Sequence, residues 1–173
     1  MTVPKQKPGR SKQDYGTPPA FLEAVKGLLE IGQFDCDLAA SKSNAVCPHY
    51  LSIMDDSLSA MPWNRGQGWN WLNPPFANIG AWVNKANIRT TLFGARTAML
   101  VPAAVGANWW RDWVHERASV LFINGRLTFV GCSDPYPKDC ALLLYAPVGL
   151  DGFDRPSYDV WTWKPAKAIG AMK

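Results

Sequence analysis

The chain is poor in the residues that most metal and disulfide chemistry needs. Among 173 residues there are two histidines and four cysteines, Cys36, Cys47, Cys132 and Cys140, with no C-x-x-C pair. That spacing does not suit a zinc site, and no metal is expected. No apolar run approaches the roughly 20 residues that span a bilayer, so no membrane partner is expected. The opening "MTVPKQKPGRSKQDYG" lacks the apolar core of a secretory signal. The expectation is a cytoplasmic protein with reduced thiols. No internal repeat is found.

What is present is ordinary for a globular chain: 47% hydrophobic and 18% charged residues, in a length that suits one compact domain. Residues 1–16 read as a flexible basic arm, with Lys5, Lys7, Arg10 and Lys12 among prolines and small polar residues. The arm is either a solvated tail or a set of phosphate contacts that order on nucleic acid. Residues 17–173 read as a single domain. A net charge of +4 is compatible with a polyanionic partner. Of the nine tryptophans, most belong in a core, and some can offer flat faces to bases.

The first helix is signalled by Thr17 as N-cap, Pro18 as first helical residue, and Phe21, Val25, Leu28 and Leu29 at helical spacing, with Gly32 as its stop. "QFDCDLA" reads as a buried strand ending near Asp37, and "NAVC" as a second short strand. "GWNWL", "RTAMLVPA" and "CALLLYAP" read as strands, "NIGAWVNKANI" and "ANWWRDWVHERA" as helices, and "YDVWTWK" as an edge strand. "SVLFING" and "RLTFV" read as a hairpin about Asn124-Gly125. Strands alternating with helices predict an α/β sheet, mostly parallel, with helices on both faces and an antiparallel edge hairpin.

In such sheets ligands bind outside the carboxyl ends of the strands. Asp37 and Asn73 both fall at such ends. After Asn73 come Pro74, Pro75 and Phe76. The prolines fix φ and cannot donate hydrogen bonds, so the turn is rigid and its carbonyls can accept. Asn73 Oδ1 and the Pro74 carbonyl then form a socket for the two N–H groups of an exocyclic amine, with the Phe76 ring beside it. Read alone, the same tetrapeptide also serves as a plain strand-terminating turn.

"NPPF" resembles the [D/N/S]-P-P-[Y/F/W] motif of amino-methyltransferases. The ordered set "TPPAFLEAV", "FDCDLAAS", "NAVCPHY", "DDSL", "NPPF", "AMLVPA", "WW" and "GRLTF" resembles the phage-type DNA N-6-adenine methyltransferase (Dam-like) family, from about residue 16 to about residue 145. The resemblance implies a Rossmann-like fold that uses S-adenosylmethionine to methylate the N6 amine of adenine in DNA. It also implies a phage or prophage origin and a place in the cytoplasm of a bacterial or phage-infected host cell. By this resemblance Asn73, Pro74, Pro75 and Phe76 match the catalytic motif. Asp37, Leu38, Ala39 and Ala40 match the first cofactor motif. Asp56 matches an acidic position on the cofactor's adenine side, and Thr17, Pro18 and Phe21 match a segment round its methionine moiety.

The chain departs from the wider class in having D-L-A-A-S where most members have F-x-G-x-G; alanine admits less close backbone approach than glycine. The target adenine must be flipped out of its duplex. The arm, with Arg65, Arg89, Arg96, Arg111 and Arg126, is available for phosphates, although each arginine also suits a structural role. His49, His115 and Asp55 receive no role. N4-cytosine methylation, protein-glutamine methylation and a non-catalytic DNA-binding protein of the same fold stay open as alternatives.

Overall fold

The computed structural model describes residues 15–59, 63, 67–149 and 156–164. Lys5, Lys7, Arg10, Lys12 and Arg65 lie outside the described residues. Six strands form one sheet: β1 (Cys36–Asp37), β2 (Trp69–Leu72), β3 (Arg96–Pro102), β4 (Ser119–Ile123), β5 (Cys140–Tyr145) and β6 (Tyr158–Trp161), in the order β1-β2-β3-β5-β4-β6. β1, β2 and β3 run parallel, as do β4 and β6; β5 is antiparallel to both its neighbours. The fold is therefore α/β with a mostly parallel sheet. No helix among the described residues is long and apolar enough to cross a membrane.

The middle of the sheet is apolar on both faces because both faces are covered. Along β5, Ala141, Leu143 and Tyr145 enter one core cluster, while Cys140, Leu142 and Leu144 enter the other. Helix α2 (Ile79–Phe93) lays Trp82, Val83 and Ala86 on the first face, joined by Trp110 of α3 (Asn108–Trp113). Tyr145 donates its hydroxyl to the Trp113 carbonyl at 2.6 Å, tying β5 to α3. Helix α1 (Pro19–Leu28) covers the second face with Phe21, Leu22 and Val25. α2 closes at Gly94, whose φ of 69° is the left-handed conformation a helix terminus favours.

Four sequence expectations are corrected. Helix α1 starts one residue late: Pro18 is its N-cap, and the Thr17 hydroxyl is engaged elsewhere. It also ends before Gly32, with Glu30 taking the left-handed turn at φ 54°. "NAVC" is no strand. Asn44 Oδ1 accepts from Ser41 N at 2.6 Å and Val46 N donates to Asp37, which folds the segment back; the parallel bridge beside Asp37 is made by Tyr50 instead. The hairpin does not form. Both edges of β4 are taken, by β5 and β6, so residues 126–130 have no ladder to join; Leu127 and Phe129 plug the core instead. The antiparallel strand is consequently internal rather than at an edge. The edge strand at "YDVWTWK" is present as β6, which pairs only with β4.

Candidate active site

The register of β1 against β2 pairs Asp37 with Trp71, so the two parallel strands leave the sheet at the same edge. Beyond that edge lies a cavity of about 550 Å3, within the size range that holds small-molecule ligands. Asp37, Leu38, Ala39 and Ala40 line it from the β1 side; Asn73 and Pro75 line it from the β2 side. Thr17 and Asp56 complete the set of expected residues on its wall. The two strand ends read from the sequence thus share one crevice.

Asp37 is only 3% exposed. Its carboxylate accepts from two backbone N–H groups, Ala39 at 3.3 Å and Val46 at 3.1 Å. Burial nevertheless dominates and pushes its carboxyl up to about 6, with the two hydrogen bonds pulling the other way. Nearby, burial and then the Asp37 charge hold the Cys47 thiol up at about 11, so it stays protonated at neutral pH.

Asn73 is half-buried, and its amide is held from behind. Nδ2 donates to the Tyr15 carbonyl at 2.7 Å and to Thr17 Oγ1 at 3.2 Å. A carbonyl oxygen can only accept, so the group facing Tyr15 must be the amide nitrogen. Oδ1 is then the acceptor Asn73 keeps for a ligand.

A third wall comes from residues 52–58. Ser52 and Asp55 close a capping box on a single 3₁₀ turn (Ile53–Asp55), with Ser52 N to Asp55 Oδ2 at 2.7 Å. Asp55 is therefore a cap, while Asp56, at φ 44°, accepts from the Ser59 hydroxyl. The wall is moored to the core through Ser57. Its carbonyl accepts from buried Trp63 Nε1 at 3.0 Å and from Lys85 Nζ at 2.5 Å, and Trp63 stacks on Trp82 with centroids 6.1 Å apart.

Four expected residues, Pro18, Phe21, Pro74 and Phe76, stand off this wall. Phe21 is fully buried, its ring against Trp161 and Trp163 at 5.7 and 5.2 Å, and belongs to the core. Pro18 caps α1, and Pro74 is buried. Phe76 directs its ring to Phe129 and Tyr136, edge-on at 6.2 and 5.6 Å. Phe129 and Tyr136 line a second cavity of about 350 Å3, and Tyr15 lines both cavities. Sequence reasoning does not single out Tyr15, Trp71, Trp82, Phe129 or Tyr136. Their only local signal is aromaticity, which a core shares. Of the described arginines, Arg89 lies over the Phe93 ring, Arg96 donates to the Gln67 carbonyl, and Arg111 and Arg126 pair with Asp112 and Asp139 at 2.6 and 3.8 Å.

Comparison with known proteins adds an independent line. Residues 5–141 match the model of a family described as DNA N-6-adenine-methyltransferase (Dam). A curated relative, the DNA N-6-adenine-methyltransferase of Escherichia phage T1, is 29% identical over 114 residues; the match covers 66% of this chain and 46% of that protein. The DNA N-6-adenine-methyltransferase of Haemophilus phage HP1 is 26% identical over 133 residues, 73% of this chain and 75% of that protein. The chain thus spans less than half the length of the phage T1 protein.

Proposed function

The chain belongs to the DNA N-6-adenine-methyltransferase (Dam) family, and from that premise we propose that it transfers a methyl group from S-adenosylmethionine to the N6 amine of adenine in DNA. The fold is read as a Rossmann-like methyltransferase and the source as a phage or prophage. The observation that carries the reading is the Asn73 amide, pinned through its nitrogen on the wall of the cavity that Asp37 also lines.

The wall chemistry fits the cofactor. Asp37 would take its ammonium group, with Thr17 nearby; Asp56 and Ser57 would take hydroxyl or amine donors at the adenine end; Leu58, Trp71 and Trp82 offer apolar surface to a flat ring. Ala39 and Ala40 take the place of glycines on this wall. When bound, the cofactor supplies a methyl electrophile whose C–S bond breaks as the new N–C bond forms. The chain's own task is to hold the amine. Asn73 Oδ1 and the Pro74 carbonyl accept its two N–H groups, which draws the nitrogen lone pair out of the ring and toward the cofactor cavity. The nitrogen proton becomes acidic only after the N–C bond has formed, so no strong base is required. The target adenine is flipped from its stack at a cost of about a few kcal/mol. Tyr15 and Tyr136, which line the second cavity, and the half-buried Phe76 supply rings to receive it.

Purified protein with radiolabelled S-adenosylmethionine and DNA tests the reading, followed by digestion to nucleosides. Label is expected on N6-methyladenine, and Asn73→Ala is expected to cut turnover roughly 10²-fold or more, as for loss of one preorganised polar group. Label on cytosine or on protein would move the target. DNA binding with no transfer would leave a non-catalytic binding protein. Wild-type turnover in Asn73→Ala would remove Asn73 from the chemistry.

A further inference from the structure

The segment Tyr15–Thr17 crosses behind Asn73 and is itself held in place. Val130 N donates to the Gly16 carbonyl at 2.9 Å, and a Cβ on Gly16 would sit 3.1 Å from Val130 Cβ. The Tyr15 ring rests on Phe129 at 5.5 Å, and Thr17 is 7% exposed. The Tyr15 carbonyl is fixed as an acceptor, 2.7 Å from the Asn73 amide nitrogen. We propose that this segment is an orienting clamp that makes an amide compulsory at position 73, with Thr17 as a positioning residue that fixes the aim of Asn73 Oδ1. The proposal rests on the methyl-transfer reading for its kinetic consequences, but not for its structural ones.

The constraint at position 73 is one of donors and acceptors. Aspartate is the isostere of asparagine, yet an ionised carboxylate at position 73 would press an oxygen against the Tyr15 carbonyl, acceptor against acceptor. The Thr17 hydroxyl can turn and donate to a carboxylate, but the carbonyl cannot adapt. Only a protonated carboxyl, donating its O–H to Tyr15, would restore the geometry. Removing the Thr17 hydroxyl leaves the amide one anchor instead of two and lets Oδ1 swing off the amine. Loss of one neutral hydrogen bond corresponds to roughly a 3- to 10-fold effect.

Two kinds of measurement test this. In the ligand-free protein, NMR of the Asn73 side-chain NH2 is expected to show slowed solvent exchange. Thr17→Val should speed that exchange roughly 3- to 10-fold, and Thr17→Ser should restore it. In Asn73→Asp, the carboxyl carbon is expected to titrate above the usual carboxylate range. In single-turnover methyl transfer, Thr17→Val should lose roughly 3- to 10-fold in rate, with Thr17→Ser within about twofold of wild type. Asn73→Asp should be slow at neutral pH, and its rate relative to wild type at the same pH should rise as pH falls, a ratio that cancels the titration of Asp37 common to both. Exchange unchanged in Thr17→Val, no rescue by serine, or an ordinary titration in Asn73→Asp would each overturn the clamp. If wild type transfers no methyl group to DNA, the functional reading fails, and the NMR results still decide the clamp.

Discussion

Replacing Asp37 by asparagine isolates the cost of one buried charge. The carboxyl titrates near 3.8 when free and near 6 in the fold, because burial outweighs two backbone hydrogen bonds. A raised carboxyl pKa means that the folded state holds the proton over a wider range than the unfolded state. Its contribution to stability is therefore fullest below 3.8 and is lost as pH rises to about 6. At about 1.4 kcal/mol per pH unit, that gap is worth about 3 kcal/mol. The amide of Asp37→Asn would carry no charge. Its NH2 group would face one of the two N–H donors at 3.3 and 3.1 Å, a constant penalty of about 1–3 kcal/mol. Scanning calorimetry of both proteins between about pH 4 and 7.5 separates the two effects, since the difference between them cancels the other titrating groups. Wild type should lose about 2.5 kcal/mol relative to the variant over that range, roughly 5–10 °C in Tm for a chain of this size. Binding of an ammonium beside Asp37 would pull its pKa back down and release protons near pH 6. Isothermal titration with S-adenosylhomocysteine, in buffers of different ionisation enthalpy, should show that release in wild type and none in Asp37→Asn. Cofactor affinity should fall in the variant while DNA affinity holds. Parallel melting curves, or a wild type that gains on the variant as pH rises, would refute the account of Asp37.

Two further predictions concern the scaffold. The Thr97 hydroxyl is buried in β3 without a hydrogen-bond partner among the described residues, so Thr97→Val should raise stability by about 1 kcal/mol in denaturant unfolding, and a loss would reveal a partner. Gly68 N donates to Asp35 Oδ2 at 2.9 Å, and a Cβ on Gly68 would overlap that carboxylate. Gly68→Ala should therefore cost about 2 kcal/mol, measured the same way, with little effect if Asp35 swings clear without penalty.

The parts legible in the sequence are those whose cause is local. Trp69–Leu72, Arg96–Pro102 and Cys140–Tyr145 announce themselves as buried strands by their apolar runs. Asp37 and Asn73 could be placed at one crevice because each polar residue follows such a run. Asn124-Gly125 carries an equally strong local signal, and Gly125 does adopt a left-handed φ of 91°. The hairpin still fails, because strand pairing is decided by what else competes for the edge. β5, arriving from Cys140–Tyr145, and β6, from Tyr158–Trp161, take both sides of β4.

The same distinction explains the site. A likeness in "NPPF" could point to Asn73, but it could not say which way the amide faces. That is settled by the Tyr15 carbonyl, 58 residues upstream, on a backbone whose hydrogen bonding no side-chain pattern encodes. Phe76 makes the complementary case. Its position in the tetrapeptide suggests a ring laid on a base, and its contacts set it edge-on to Phe129 and Tyr136. The rings that meet a substrate need not all lie in the motif. Motif residues closest to the reacting nitrogen are constrained by distance to it, while the stacking surface only has to be aromatic and nearby. On the proposed reading, Tyr15 and Tyr136, which line the second cavity, meet that looser requirement.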